Sequence, residues 1–453
     1  MMNALERRST FALSSIFALR MLGLFMIIPV FSVAGQSYDH ATPTLIGLAV
    51  GVYGLSQAIL QIPFSLLADR FSRKPLVVLG LLLFAIGGAV AAMSDSIYGV
   101  IIGRAIAGAG AVSAVVMALL ADVTREEQRT NAMAAMGMSI GLSFVVAFRL
   151  GPWLTSIVGI SGLFWVTTVM GLLAIAMLLL VPKTTRHHRN FGQGYVHQLK
   201  QVLKMGDLNR LHVSVFSLHL LLTAMFIYVP SQLIEYAHIP LAKHGMVYLP
   251  LLLIGVICSF PSIIVAEKYR KMRGIFLTAI VGVILGLLVL IFGYTSKYIL
   301  LLGLGLFFVA FNVMEALLPS WLSKVAPIQS KATAMGVNAS AQFLGAFFGG
   351  TLGGQLLVLH NTAIGWTILT AIAVLWCVVS FGLSQPRYLS SLVYRLPEQI
   401  SPHWAQDLLA IEGVEEVVVM GEQQVAYLKV DKKRLDETAR HKMTQLLGQD
   451  LVI

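Results

Sequence analysis

The sequence predicts an all-α polytopic membrane protein with twelve transmembrane helices in two six-helix halves, followed by a small C-terminal α+β domain. Three observations lead to this prediction. The 453-residue chain is 57% hydrophobic and only 12% charged, which is typical of a protein that crosses the bilayer many times and excludes an ordinary soluble protein. A charged motif of the first half returns in the second half. After Pro386 the long apolar runs stop and short β-rich segments begin.

Twelve apolar runs are long enough to be transmembrane helices, because about 20 apolar residues span the hydrocarbon core of a bilayer. The runs cover approximately residues 10–35, 44–68, 75–93, 98–122, 130–154, 161–182, 208–237, 244–266, 274–294, 298–325, 329–359 and 363–384. The first run has helix length and continues into the body of the chain, so it is not interpreted as a cleavable signal peptide. We assign residues 1–182 and 208–384 to the two halves and the polar, basic residues 183–207 to a linker.

Lys and Arg residues are concentrated in the loops on one side of these helices. That side holds nineteen of them, whereas the loops on the other side hold Lys243 and Lys297. Since basic loops stay in the cytoplasm, we expect both termini there. The net charge of +11 therefore follows from membrane topology and implies no nucleic-acid partner. Cys258 and Cys377 lie far apart in apolar runs, so no disulfide framework or thiolate metal site is predicted.

A dense cluster of charge separates the second and third apolar runs. Asp69 falls near the end of one helix, where its carboxylate can accept from the free N–H groups at the start of the next helix and suits the dipole of that helix. Glu267, Lys268 and Lys271 repeat, about 200 residues later, the acid–base–x–x–base spacing that begins at Asp69. A repeat at this distance indicates two related halves, which is the plan of many secondary transporters.

Two charged residues fall deep inside predicted spans, where a charge costs about 3 kcal/mol or more. Arg20 lies about ten residues into the first helix, so we expect it in a central cavity or an ion pair, with a structural hydrogen-bonding role as the alternative. Glu315 lies well inside the tenth helix. Because burial disfavours a charged carboxylate, Glu315 can gain and lose a proton as a cavity opens to either side. The alternative is a permanent pair or a protonated structural carboxyl.

Polar and aromatic residues on the same helices are candidates for a cavity wall or for helix–helix contacts. They are Tyr53, Gln57, Phe311, Asn312, Asn338 and Gln342. His212 and His219 on the seventh helix can titrate near neutral pH, but a histidine on an apolar helix is more often only hydrogen-bonded. Gly108-x-Gly110 lies in an apolar run and lacks a following Lys-Ser/Thr, so no phosphate-binding loop and no ATP-driven transport are predicted.

Residues 388–453 have the composition of a small α+β domain. The predicted elements are a strand at 391–396, a helix at 402–411, strands at 414–420 and 424–430, a helix at 434–447 and a last strand at 451–453. This β-α-β-β-α-β order is ferredoxin-like, and Gly421-Glu422 marks its hairpin. The order resembles that of heavy-metal-associated domains, but the tail has no Cys, so the thiolate site is absent. We expect a regulatory or interaction module with its own ligand or partner.

The loop between the second and third helices resembles a family motif. Ser65-x-x-x-Asp69-Arg70-x-Ser72-Arg73-Lys74 is similar to the loop 2–3 motif of the major facilitator superfamily, with serine at both glycine positions. The resemblance implies that Asp122, at the end of the fourth helix, pairs with Arg73. The pair would matter if it forms in one conformation and breaks in the other. The implied latch comprises Asp69, Arg70, Arg73 and Asp122, and its counterpart in the second half would be Glu267, Lys268 and Lys271.

Two further motifs resemble this superfamily. Arg104, followed by Gly108 and Gly110, is similar to its helix 4 motif, which implies a link between Arg104 and proton transfer, with packing inside the bundle as the alternative. Arg149-Leu150-Gly151-Pro152 resembles the end of the helix 5 motif of its antiporters. Arg149 lies near the outer end of this helix, so a functional role and snorkelling of its side chain to the interface both remain open.

Together these features resemble the proton-coupled drug exporters of the superfamily that end in a ferredoxin-like domain. The specific parts of the likeness are residues 19–23, 310–320 and 388–392. The resemblance implies a monomeric antiporter of the bacterial inner membrane, not an enzyme, that exports drugs or other small solutes by alternating access. It would use the proton gradient and no cofactor, with the bilayer, protons and a small-molecule substrate as partners. A proton–solute symporter and a membrane receptor that signals through the tail are the alternatives.

Overall fold

The computed structural model describes residues 2–182, 195–327, 330–359, 361–386, 388, 390–396, 403–420, 425–431 and 434–447. Inside helices and strands, only the backbone is described for residues 69, 70, 126, 127, 129, 130, 195, 196, 390, 391, 393, 395, 418, 420 and 427. The described chain forms a bundle of long helices followed by a small α+β unit.

The first half of the bundle is made of apolar helices. They are α1 (Ala4–Ala34), α2 (Pro43–Arg70), α3 (Arg73–Ala92), α4 (Ile97–Ala109), α5 (Ser113–Asp122) and α6 (Glu126–Met177). The side chain of the preceding residue caps the start of α1, α2 and α4. At the start of α1, the Asn3 side chain accepts from the backbone N–H of Glu6 and the Glu6 carboxylate accepts from that of Asn3. This reciprocal capping box satisfies two N–H groups that a helix start leaves free. At the start of α2, the Thr42 hydroxyl accepts from the backbone N–H of Leu45 at 3.2 Å.

Two predicted helices of this half differ from single straight spans. The fourth is divided into α4 and α5 at Gly110, which packs against the backbone of Gly80. The fifth and sixth run together as α6 and are separated at Gly159, whose φ of 69° and ψ of −178° are accessible mainly to glycine. Both parts of α6 pack along α1, because Gly151 contacts Met26 and the Phe164 ring lies 6.0 Å from that of Phe31.

The second half repeats this plan after the linker. Its helices are α8 (Gly206–Glu235), α9 (His244–Lys268), α10 (Met272–Gly293), α11 (Lys297–Val325), α12 (Lys331–Leu356) and α13 (Thr362–Phe381). Where the sequence predicted only a loop, the linker holds the amphipathic helix α7 (Tyr195–Lys204). Gln198 and Gln201 accept hydrogen bonds from the hydroxyls of Thr333 and Ser330, which fixes α7 to the start of α12. Residues 183–194 of the linker lie outside the described residues.

Ten helical stretches of the described chain are long and apolar enough to cross a membrane. One of them, Asn131–Leu180, covers 50 residues and supplies two spans on either side of Gly159. The glycine-rich α12 is not among the ten but packs between α2 and α8. With α12 and the second span of α6, the described helices provide the twelve predicted spans.

The two halves touch each other near one end of the bundle. We call the end at which α1 begins and α13 ends the basic end, and the opposite end the far end. A Cβ on Gly51 of α2 would lie 2.6 Å from the carbonyl oxygen of Phe347 on α12, so these backbones are in direct contact. At the start of α9, a Cβ on Gly245 would lie 3.0 Å from the Cα of Arg149. These contacts close the far end.

The C-terminal unit has the predicted ferredoxin-like element order within its described residues. Its elements are β1 (Ser390–Arg395), α14 (Trp404–Leu409), β2 (Val414–Met420), β3 (Val425–Val430) and α15 (Glu437–Leu447). The described strands are antiparallel in the order β1-β3-β2, with Leu392 and Val417 both opposite Leu428. Trp404 and Met443 are buried against this sheet. The predicted strand at 451–453 lies outside the described residues.

The C-terminal unit is bonded to the basic end of the second half. Lys429 donates to the carbonyl oxygen of Ala326, just after α11, at 2.9 Å. Arg270, between α9 and α10, donates to Asp431 at 3.2 Å. The Tyr388 hydroxyl donates to the carbonyl oxygen of Ala266 at 2.6 Å, and burial raises the pKa of this phenol, so it remains a donor at neutral pH.

Candidate substrate cavity and proton site

A cavity of about 570 Å³ lies between the two halves, on the basic-end side of the contacts that close the far end. Its wall is mainly apolar and contains many aromatic rings, among them those of Phe17, Phe25, Phe144, Phe226, Phe311 and Phe343. A largely apolar cavity with a few polar groups is typical of small-molecule sites. The position between the halves makes this cavity the candidate substrate site.

Arg20 is buried behind this wall in a network of neutral partners. It donates to Ser113 at 2.7 Å, to the Tyr53 hydroxyl at 3.0 Å and to Gln57 at 2.8 Å. The division of the fourth predicted helix places Ser113 at the start of α5, next to Arg20. Neither Arg20 nor Gln57 lines the cavity, and Arg20 has no ion pair among the described residues. The described contacts of Arg20 are those of the hydrogen-bonding alternative, and its role in proton coupling stays a prediction.

Arg104 lies on the cavity wall and is tied to α2. It donates to the carbonyl oxygens of Ala49 at 3.2 Å and Val50 at 3.4 Å, and its guanidinium carbon lies 4.9 Å from the centre of the Tyr53 ring. A cation above an aromatic face is stabilised by the quadrupole of the ring. Tyr53 thus contacts Arg104 with its ring and Arg20 with its hydroxyl, which couples the two arginines.

Among the described residues that line the cavity, Glu315 is the one with a carboxylate side chain. Its side chain is 45% exposed and the carboxylate faces the cavity, which is the position that the sequence predicted for Glu315. Its Oε2 atom lies 3.6 Å from Nε2 of His219 on α8. Sequence reasoning gave His219 little weight, because nothing in the sequence indicated that these two helices bring it beside an acid.

The hydrogen bonds of His219 fix its neutral tautomer. Nδ1 lies 3.0 Å from the carbonyl oxygen of Val215, which can only accept, so Nδ1 carries a proton. Nε2 lies 2.7 Å from the amide nitrogen of Gln342 on α12 and therefore accepts when the ring is neutral. A protonated ring instead has an N–H group at Nε2, beside Glu315. The pair can hold a proton on either side chain.

The remaining predicted wall residues divide into two groups. Tyr53, Phe311, Asn312 and Gln342 line the cavity, and Asn312 also donates to the carbonyl oxygen of Phe308 at 2.8 Å. Asn338 does not line it; its side-chain oxygen lies 3.4 Å from Nδ1 of His212. His212 and Asn338 are a buried polar contact between α8 and α12.

The ion pair expected between Arg73 and Asp122 is present. Arg73 contacts Asp122 and also donates to the carbonyl oxygen of Ala118 at 2.7 Å, so it holds the start of α3 against the end of α5. The side chains of Asp69 and Arg70 lie outside those described. The role of these four residues as a latch stays a prediction.

The second-half counterpart of this pair is built differently from the prediction. Glu267 pairs with Lys324 at 2.8 Å and accepts from the Ser320 hydroxyl at 2.6 Å. Lys268 and Lys271 are exposed and have no ion pair within the described residues. Lys324 lies at the end of α11, the helix that corresponds to α4 and α5, so the partner of Glu267 comes from that helix and not from its own loop.

Sequence reasoning also missed an ion pair in the first half. Arg125, in front of α6, donates from its backbone N–H and its side chain to Glu6 at 3.0 and 2.9 Å. Glu6 is 3% exposed. The pattern Asn3-x-x-Glu6, which is typical of a capping box, was the available signal that Glu6 is fixed.

The helix 5 motif lies where α6 packs against other helices. Gly151 contacts the backbone of Met26 so closely that no Cβ fits, and Pro152 lies inside α6. Arg149 is half-buried and makes no ion pair among the described residues. Its backbone forms the far-end contact with Gly245, so this part of α6 packs closely against both α1 and α9.

Comparisons with known proteins agree with this architecture. Residues 13–350 match the family model of the Major Facilitator Superfamily. The chain is 42% identical to the Inner membrane transport protein YajR of Escherichia coli (strain K12) over 98% of both chains. It is 26% identical to Multidrug resistance protein 2 of Bacillus subtilis (strain 168), over 77% of this chain and 88% of that protein.

Solved structures share the fold at low sequence identity. The crystal structure of a D-xylose-proton symporter superposes with a TM-score of 0.70 and 15% identity, over 84% of this chain and 99% of that chain. A bacterial homolog of the human lysosomal transporter Spinster, in an inward-facing and unoccupied conformation, gives a TM-score of 0.68 and 13% identity, over 84% and 97% of the two chains.

Proposed function

The chain belongs to the Major Facilitator Superfamily, and from that premise we propose that this secondary transporter is a proton-coupled efflux antiporter for drugs or other small, largely apolar solutes. It would work by alternating access in a bacterial inner membrane. The observation that carries the proposal is the pair of Glu315 and His219, 3.6 Å apart, at a mainly apolar cavity.

The orientation of the transporter follows from its basic loops. Since Lys- and Arg-rich loops stay in the cytoplasm, we place the basic end and both termini there. The contacts of Gly51 with Phe347 and of Gly245 with Arg149 then close the outer side. The structure would represent the conformation in which solutes enter the cavity from the cytoplasm.

The exchange of proton for solute follows from the chemistry of the pair. When the cavity faces the more acidic outer side, Glu315 or His219 takes up a proton and the charge of the site rises by one. When the cavity faces the cytoplasm, the proton leaves and the carboxylate is available to the solute. Because solute and proton compete for one site, inward proton movement drives outward solute movement. The gradient supplies the energy, and no cofactor takes part.

The cavity wall favours solutes with apolar surface. A sugar buries many hydroxyl groups, and each needs a hydrogen-bond partner, whereas this wall is mainly aromatic and aliphatic. The relationship to a protein named for multidrug resistance supports the same class of solute. Export of drug-like compounds therefore fits the site better than import of a polar nutrient.

The test is proton movement in sealed proteoliposomes with an imposed pH gradient. The probes are ethidium, tetraphenylphosphonium, an apolar weak acid and D-xylose. We expect one or more of the apolar probes to dissipate the gradient with the parent protein, and the Glu315→Gln variant to lose this effect while it still folds and inserts. Glu235→Gln, an exposed acid at the end of α8, is the matched control and should behave like the parent.

The direction of solute movement separates the antiporter from its rivals. A solute that moves with the protons indicates a symporter and contradicts the antiporter. Proton exchange that is unchanged in Glu315→Gln contradicts the assignment of this residue. If no probe affects the gradient but deletion of residues 388–453 abolishes a cellular response, the receptor hypothesis replaces the transporter.

A further inference from the structure

Gln342 connects the candidate proton site to the contact between the two halves. Its amide nitrogen lies 2.7 Å from Nε2 of His219, inside the second half. One residue further along α12, the carbonyl oxygen of Phe343 lies against Gly54 of the first half. Half a turn before Gln342, the Ser340 hydroxyl donates to the carbonyl oxygen of Ala58 at 3.3 Å.

We infer that Gln342 is a positioning residue whose side-chain amide rotates, so that its oxygen replaces its NH₂ group, when His219 is protonated. This rotation is transmitted through α12 to the contact with α2. The inference rests on the proposed function, because it takes His219 and Glu315 as the proton site. It adds the residue that would link proton binding to the closure of the far end.

The turn of the amide follows from hydrogen-bond chemistry. Because Nδ1 donates to Val215, the neutral ring presents a lone pair at Nε2, and the NH₂ group of Gln342 is its partner. Protonation places an N–H group at Nε2, which would then point at this NH₂ group. Two donors cannot share a hydrogen bond, so the amide must offer its oxygen or move away.

Gln342 suits this role because its side chain carries both a donor and an acceptor at one end. Either form of His219 therefore has a partner from α12, but the two forms require different orientations of the amide. The Nε2 atom is also 3.6 Å from Glu315, which attracts the protonated ring toward α11 and away from α12. Proton binding thus changes the contact between α8 and α12 at the depth where α12 touches α2.

Within the described residues, Glu315 on α11 is the ionisable group that forms a close contact with His219. The helices that pack against α8 carry further ionisable groups: Glu6, Arg7, Arg8 and Arg20 on α1, Lys297, Tyr298 and Lys324 on α11, Lys331 on α12, Cys377 on α13, and Asp207, Arg210, His212, Tyr228 and Glu235 on α8 itself. The groups of α7 lie at the basic end, and Arg104 and Tyr53 lie across the cavity. Glu315 is the acidic residue of this set that lies inside a span and not near a helix end. A substitution at position 342 therefore changes the surroundings of His219 while its contact with Glu315 is kept.

The first test measures the protonation of His219 in the protein reconstituted in lipid nanodiscs. The method is nitrogen NMR of labelled histidine, and a His219→Gln variant identifies the signal of His219. Gln342→Glu offers an acceptor only, so we expect the fraction of His219 rings that carry an N–H group at Nε2 to be severalfold larger than in the parent at one fixed pH. Asn338→Asp places the same charge one turn earlier on α12, beside His212, and should leave this fraction as in the parent.

The second test is the transmission of this change to the halves. Spin labels at the exposed positions Arg7 and Ser384, in a variant without Cys258 and Cys377, report the separation of the halves at the basic end as the pH is varied. Gln342→Met keeps the length of the side chain but forms no such hydrogen bond. We expect His219 still to titrate in this variant while the pH-dependent change in separation falls to less than half.

Each outcome decides the inference. The inference is wrong if the separation of the halves changes with pH in Gln342→Met as it does in the parent, or if it does not change in the parent at all. It is also wrong if Gln342→Glu and Asn338→Asp affect His219 equally. These readouts need no transported solute. If they succeed while the proteoliposome assay fails, the role of Gln342 stands and the proposed exchange of proton for drug is wrong.

Discussion

The ammonium nitrogen of Lys324 lies 2.8 Å from the Glu267 carboxylate, in the place that the Arg73–Asp122 pair occupies in the first half. In the first half, Arg73 at the start of α3 pairs with Asp122 at the end of α5. In the second half, Glu267 at the end of α9, which corresponds to α2, pairs with Lys324 at the end of α11. Both pairs therefore tie the turn between the second and third spans of a half to the end of its fourth span, with the signs of the charges exchanged and with a different helix of that turn taking part.

We expect Glu267→Lys to weaken the contact between α9 and α11, because it places two ammonium groups together. Adding Lys324→Glu should restore the contact. Both side chains are partly exposed, so the pair contributes at most about 1 kcal/mol, and the single variant should lower the melting temperature by roughly 1–4 °C. Lys268→Glu, at an exposed neighbouring position, is the control. Equal losses in the single and double variants would contradict the pairing.

Asp69→Asn and Asp122→Asn should both shift the balance between the conformations open to the basic end and to the far end. The side chains of Arg73 and Asp122 are 18% and 34% exposed, so their pair is worth about 0–1 kcal/mol, or at most about fivefold in the ratio of the conformations. The measurement is the reactivity of single engineered cysteines at each end after Cys258 and Cys377 are replaced.

The control for this latch is Asp95→Asn, which changes an exposed acid in a far-end loop. It should leave both reactivities unchanged. If Asp69→Asn and Asp122→Asn also leave them unchanged, the four residues do not act as a latch in this protein.

Gly51→Ala should favour the conformation that is open to the far end. The new Cβ would lie 2.6 Å from the Phe347 carbonyl oxygen, and overpacking of this kind costs about 1–3 kcal/mol, which is a shift of roughly five- to 150-fold. Gly336→Ala on α12 has nothing within 4 Å of its new Cβ and serves as the control. The readout is the reactivity of a far-end cysteine, and a rise that is the same in both variants would count against the close contact.

Tyr388→Phe should loosen the C-terminal unit from the second half. It removes the donor to Ala266 and the acceptor for the backbone N–H of Met272, each worth about 0.5–1.5 kcal/mol. We expect hydrogen exchange of the Met272 amide to rise by about two- to tenfold. Tyr394→Phe removes a buried hydroxyl that has no partner among the described residues and should leave Met272 unchanged. Equal exchange in both variants would refute the contact.

Helix number and element order were predictable because they depend on the length and spacing of apolar runs. The Arg73–Asp122 pair was predictable from its motif. The position of Arg20 was not, because run length does not fix the rotation of a helix about its axis. Arg20 turns toward Ser113, Tyr53 and Gln57, and the division between α4 and α5 that places Ser113 beside Arg20 has no counterpart in hydropathy.

The proton site was only half predictable. Glu315 stands out as an acid in an apolar run, whereas His219 gains its importance from the packing of α8 against α11 and α12, which sequence spacing does not determine. Lys324 was overlooked because a lysine at a helix end is ordinary. An alignment of the two halves would have identified Lys324 as the charged residue that corresponds to Asp122.

The far-end seam between α2 and α12 is formed by backbone against backbone at Gly51 and Phe347 and at Gly54 and Phe343. Such a seam has little apolar side-chain area to re-expose, at about 25 cal/mol for each Å². Separation of the two helices at these glycines therefore re-exposes little of the hydrophobic burial that stabilises the bundle.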